Sequence, residues 1–198
     1  MSCRVPSRKL YVITHADVVI DPNVDVRTWG LSDRGRRRHT QYAQHSDLEN
    51  VTCVFSSAEQ KAIDGAAISA NALSVPHRVI DALHENDRSA TGYLPKDEFE
   101  QVADQFFAHP NHSIRGWERA IDAQARVVAA LKAAAEITPH GDIAVVAHGG
   151  VGALFLCWLL DEPISRAFDQ PGAAGGNVLT VSLPDWTLLD GWRDIAPL

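Results

Sequence analysis

Cysteine is scarce and poorly placed for pairing: Cys3, Cys53 and Cys157 are the only three in 198 residues. Their number is odd and no two form Cys-x-x-Cys, so neither a disulfide frame nor a zinc site is expected, and a reducing cytoplasm fits best. Basic charge is short as well. Lys and Arg number 18 against 25 Asp and Glu, a formal charge of −7, which leaves no basic stripe to neutralise phosphates and makes nucleic acid an unexpected partner. Arg34, Arg36, Arg37 and Arg38 do cluster, and such a run is expected to be a solvated helix face. Repeats and low-complexity linkers are absent. So are Gly-x-Ser-x-Gly and the P-loop pattern, which removes the defining elements of serine hydrolases and P-loop enzymes. A metal hydrolase built on His15, Asp17 and His148 has no His-Glu-x-x-His or comparable ligand cluster behind it, and no metal or other cofactor is expected.

Long apolar runs are also few. The first breaks at His15 after a few residues, too short for a signal peptide. The second, IAVVAHGGVGALFLCWLL at 143–160, is long enough to span a membrane, but His148 and three glycines interrupt it and Asp161-Glu162-Pro163 ends it. A buried strand, a turn and a buried helix are expected there, and no membrane partner.

Hydrophobic residues make up 45% of the chain, enough for a sizeable core in one domain. Aromatic and β-branched runs predict strands at 10–14, 51–57, 78–83 and 143–147, with two late ones near 177–183 and 186–193. Ser32 is placed to cap a helix reaching about residue 45. AEQKAIDGAAISANAL predicts a helix with Ala62, Ala66 and Ala70 on one face, a helix is expected near 96–107, and the alanine-rich 115–137 segment is the clearest helix of all. Another follows at 150–160. Strands alternating with helices imply a sheet covered on both faces.

In such a sheet, ligands meet the carboxyl ends of the strands. LYVIT ends on His15, IAVVA on His148, and VTCVF on Ser56-Ser57. A neutral imidazole is a good nucleophile toward phosphorus, a second, protonated one stabilises charge on the transferring oxygens, and helix N-termini after these strands add amides that favour anions. Glu85, in Leu83-His84-Glu85, is a candidate acid for the leaving oxygen. Asp17 reads as a turn residue or as a group orienting the site.

The segments LYVITHADV, WGLSDRGRRR, VFSSAEQKAIDGAA, ALHENDR, WERAIDAQARVVAAL and VVAHGGVGALFLCWLL resemble, in that order, the histidine phosphatase (phosphoglycerate mutase-like) superfamily over about residues 10–160. The resemblance implies a three-layer α/β/α sandwich with a mostly parallel central sheet. It implies one domain across 1–198, with a lid-like insertion around 86–114 that selects the substrate. It also implies a phosphomonoester hydrolase working through phosphohistidine on a small phosphorylated substrate. By position, His15 is the nucleophile, Glu85 the proton donor and His148 the second pocket histidine, while Thr14 and Lys61 take the places of two phosphate-binding arginines. Ala16 replaces a glycine and Ala58 a proline. Lysine keeps the charge of arginine without its planar fork, and threonine offers one hydroxyl; each lost charge-assisted contact costs about 1.5–3 kcal/mol. Arg27 or Arg88 are candidates to supply the missing charge. The competing reading is a catalytically weak or silent phosphate-ligand-binding or regulatory protein on the same fold.

Overall fold

Side chains of the central strands point to alternate faces and are buried on both, and that divides the core in two. The computed structural model describes residues 8–196, so Cys3 lies outside the described residues. Strand β1 (Arg8–Thr14) sends Leu10 and Val12 to one face and Tyr11 and Ile13 to the other. Strands β2 (Val51–Ser56) and β4 (Asp142–Ala147) do the same, with Phe55, Ile143 and Val145 opposite Val54, Ala144 and Val146. Because side chains on a strand have period 2, both faces can be apolar only if both are covered.

The covers are helices. On the first face lie α4 (Ala120–Ile137), through Val127, Leu131 and Ala134, and α5 (Gly149–Leu159), through Val151 and Phe155. On the second lie α1 (Asp33–Tyr42), through Tyr42, and α2 (Gln60–Leu73), through the expected Ala62, Ala66 and Ala70 stripe. A fifth helix, α3 (Lys96–Ala108), packs Val102, Phe106 and Phe107 on the outer side of α4 and α5, around Trp117 and Leu154. The result is the expected α/β/α sandwich.

The sheet runs β3-β2-β4-β1-β5-β6, where β3 is His77–Val79, β5 is Asn177–Leu183 and β6 is Thr187–Asp194. The first four strands are parallel, and β5 and β6 are antiparallel. The apolar run at 143–160 is β4, a turn and α5, as expected. Among the described residues, no helix is long and apolar enough to cross a membrane.

Three expectations need correction. The strand expected at 78–83 stops at Val79 and becomes a 3-10 turn over Asp81–Leu83, because Arg126 draws the carbonyls of Ala82 and His84 onto its guanidinium at 2.9 Å each. The helix expected from 115 starts at Ala120. Arg115 and Gly116 sit at φ of 51° and 82°, which a right-handed helix does not accommodate, and this bend turns Trp117 into the α3 cluster. The arginine run is not wholly solvated. Ser32 caps α1 by accepting from the Gly35 amide, but the Arg38 side chain is only 11% exposed and reaches Asp17 at 3.0 Å, Asp194 at 2.9 Å and the Gly176 carbonyl at 3.0 Å.

Arg38 therefore rivets the chain after β1 to the ends of β5 and β6. Removing one partner of such a pair strands the others, although Asp194 remains partly solvated, so we expect Arg38→Met to lower the unfolding free energy by about 2 kcal/mol. Urea denaturation measures it, and a loss under about 0.5 kcal/mol would show that Arg38 is a surface residue after all.

Candidate active site

The parallel register brings the strand ends to one rim. Thr14 pairs with Ala147 and Ser56 with Val146, so the next residues, His15, His148 and Ser57, emerge side by side. The His15 and His148 rings stand 5.3 Å apart, 66° from coplanar. The His15 amide still donates to the Ala147 carbonyl at 3.0 Å and its carbonyl accepts from Gly176, so the backbone that carries the ring is held by both neighbouring strands. The Ala16 carbonyl lies 3.0 Å from His15 Nδ1. A carbonyl only accepts, so Nδ1 carries the proton and Nε2 keeps its lone pair.

Lys61, in the first turn of α2, joins this rim but is not free. Its Nζ donates to Glu59 Oε2 at 2.5 Å and to the Val26 carbonyl at 2.9 Å. Glu59 Oε1 accepts from the Glu85 amide at 2.9 Å and lies 3.4 Å from His148 Nε2. Ser57 Oγ is 2.7 Å from the same Nε2. Glu59 and Lys61 are each about 95% buried. Sequence reasoning passed over Glu59; the available signal was a carboxylate two residues before the one lysine of the motif.

Glu85 reaches the rim from the loop before α3. Its carboxylate caps α5, with Oε2 accepting from Gly150 N at 3.1 Å and Oε1 from Val151 N at 3.0 Å, where the helix dipole favours negative charge. The glycines after His148 allow this approach: a Cβ on Gly150 would lie 2.8 Å from Glu85 Oε1, and one on Gly149 would overlap Gln170 Nε2. The α5 amides expected to greet a substrate anion are thus partly taken by the protein's own carboxylate.

Thr14 is fully buried. Its hydroxyl lies 2.6 Å from Gln170 Oε1 and accepts from the Asn177 amide at 2.9 Å. Asn177 Nδ2 also donates to Gln170 Oε1 at 3.0 Å, so the Gln170 amide is fixed with its nitrogen beside Gly149. Asp17 is brought to Arg34 and Arg38, at 3.2 and 3.0 Å, and not to the histidines. Among the described residues, no three His, Cys, Asp or Glu side chains are arranged to hold a metal ion.

A cavity of about 770 Å³ opens between the 22–28 loop and the 84–93 segment, lined also by Ala58, Glu59 and Gln60; of the rim residues it reaches Glu59 and Glu85 but not His15, His148 or Lys61. Arg27 and Arg88 both line it. Arg27 is paired with Asp25 at 2.6 Å, and Arg88 lies over the Phe99 ring, 4.9 Å from its centroid. Asp25, Asp81 and Asp87 line the same walls.

Burial sets the protonation of the pocket. It pushes His15 down to about 4, with the Lys61 charge adding to the effect and the Ala16 carbonyl and Glu59 opposing it. It pushes His148 down to about 3 against the pull of Glu59 and Glu85. The second imidazole is therefore neutral here, not protonated as expected, and the fixed positive charge of the pocket is Lys61. Burial pushes the Glu59 carboxyl up, but His148, Lys61 and the Glu85 amide outweigh it and bring it to about 2.

Residues 16–190 match the histidine phosphatase superfamily (branch 1). Solved structures share the fold. YhfR from Bacillus stearothermophilus superposes with a TM-score of 0.78 at 20% identity, covering 96% of this chain and 98% of its own. A mycobacterial glucosyl-3-phosphoglycerate phosphatase in complex with inorganic phosphate gives 0.72 at 21% identity, covering 94% of each chain. The alpha-ribazole phosphatase of Shigella flexneri gives 0.68 at 17%, covering 94% of this chain and 95% of its own. Among curated proteins, none matches the chain by sequence.

His39, on α1, is a further imidazole, fully buried; its Nε2 accepts from the Ala16 amide and burial lowers it to about 4. All three histidines sit below the ordinary 6.5. The unfolded chain then binds more protons than the native one as pH falls below 6.5, so native stability drops, by up to about 1.4 kcal/mol per group per pH unit. Urea midpoints should fall steadily from pH 6.5 to 4, and a flat profile over that window would mean the imidazoles are not held neutral.

Proposed function

The chain belongs to the histidine phosphatase superfamily, and we propose that it is a phosphomonoester hydrolase that forms phosphohistidine on His15. The observation that carries this reading is the His15 tautomer, which leaves the Nε2 lone pair at the rim beside His148 and Lys61. Nε2 attacks phosphorus as the ester P–O bond breaks, and Glu85, in its protonated form and released from the α5 amides, gives its proton to the leaving oxygen. Water then attacks the phosphorus of the N–P bond, losing a proton to Glu85, and phosphate leaves with both side chains restored. His148 and Lys61 stabilise the charge on the phosphoryl oxygens. Thr14 acts through Gln170, whose amide nitrogen it helps to aim beside Gly149. The cavity volume suits a small-molecule ester, and the phosphatase activities in the names of two structural relatives support this class. The 86–93 segment, the first part of the expected lid, selects the remainder of the substrate through the wall it forms. The free, buried Cys53 and Cys157 support a cytoplasmic setting.

One observation favours the silent, ligand-binding alternative. Thr14 brings no charge, and Glu59 offsets the charge of Lys61, so the pocket holds little net attraction for a phosphate.

Rapid mixing with 4-nitrophenyl phosphate followed by a quench should give an acid-labile phosphate on the His15 peptide. His15→Asn should lose the adduct and reduce kcat/KM by at least about a thousandfold. Turnover that survives His15→Asn would contradict the mechanism. Phosphate binding without turnover of any of a panel of small esters would favour the silent reading.

A further inference from the structure

The phosphoryl seat holds a resident carboxylate. Glu59 takes up two donors that an incoming anion needs, Lys61 Nζ at 2.5 Å and the Glu85 amide at 2.9 Å, and its Oε1 lies 3.4 Å from His148 Nε2. It lines the cavity, and Lys61, to which it is bonded, does not. Glu85 takes two α5 amides in the same way. With Thr14 uncharged, the formal charges of the Glu59–Lys61 pair cancel. A dianion placed there surrenders its water to a seat that is already neutral. An anion with one charge gives up far less water.

We propose that Glu59 is the specificity-determining residue of this site, and that the carboxylate it holds against Lys61 makes the seat one for a phosphoryl group carrying a single negative charge. The proposal rests on the phosphoryl-transfer reading and narrows its substrate class. The group is either a phosphate monoester in its protonated form or a diester; both present two anionic-type oxygens sharing one charge.

Methyl phosphate and dimethyl phosphate separate the effect from other titrations. A monoester loses its second proton near pH 6, whereas the diester keeps one charge throughout. Facing Glu59 are Lys61 on α2, His148 after β4, His15 after β1, the Glu85 loop with His84 beside it, and Asp25 and Arg27 from the 22–28 loop. The diester, whose own charge is constant, reports any contribution from the protein's groups.

By calorimetry, wild-type protein should bind methyl phosphate at least about tenfold more weakly at pH 8 than at pH 5.5, and dimethyl phosphate within about twofold at both. Glu59→Gln should bind methyl phosphate at pH 8 at least about tenfold more tightly than wild type, because Lys61 is then unopposed. Equal or tighter wild-type binding of methyl phosphate at pH 8 would overturn the proposal, as would a parallel fall for dimethyl phosphate, which would assign the effect to the protein and not to the charge of the ligand. A folded Glu59→Gln protein no better than wild type at pH 8 would overturn it too. If that variant fails to fold, the two-ligand comparison on wild type decides alone. Binding of neither ligand by either protein at millimolar concentration would remove the phosphoryl reading itself, and this proposal with it.

Discussion

The register between β1 and β4 governs everything at the rim. Thr14 opposite Ala147 sets the next residue of each strand, His15 and His148, at the same height. A slip of one residue would turn every side chain of β1 to the other face, exchanging Leu10 and Val12 for Tyr11 and Ile13 in two differently shaped cores. The packing of α4 and α5 on one side and of α1 and α2 on the other therefore fixes the histidine pair without touching it. The antiparallel β5 completes the constraint, since Gly176 and Asn177 tie down the His15 carbonyl and the Thr14 hydroxyl.

On that frame the charges are nearly balanced. Two neutral imidazoles, one lysine and the carboxyl groups of Glu59 and Glu85 gather at the rim. A neutral His15 suits nucleophilic attack, while the weak net charge limits attraction for a dianion; the same burial that prepares the nucleophile makes the seat selective. Arg126 shows how the scaffold supports this arrangement. Paired with Glu118 at 2.6 Å, it grips the carbonyls of Ala82 and His84 and so presents Glu85 both to α5 and, through its amide, to Glu59.

Much of this was legible in the sequence, and the divide is physical. β1, β2 and β4 announce themselves as short β-branched runs, and His15, His148 and the two serines stand at their ends because parallel strands all finish on one edge. Ser32 and the alanine stripe of α2 were readable because capping and helical spacing are local. What escaped depends on residues far apart in the chain. Arg38 lies in a run that looks solvated until Asp194, 156 positions later, arrives beside it. Glu59 looks like an ordinary residue at a helix start until Glu85 and His148 close around it. The neutrality of His148 follows from complete burial, which no spacing reveals.

Neutral His15, protonated on Nδ1 and with a lone pair on Nε2, is the group on which the proposed chemistry turns. Nitrogen-15 spectroscopy of histidine-labelled protein at pH 7 reads this directly, because the two ring nitrogens of each tautomer resonate far apart. The account predicts the Nδ1–H form for His15 and a neutral ring for His148. An Nε2–H tautomer or an imidazolium at His15 would contradict it.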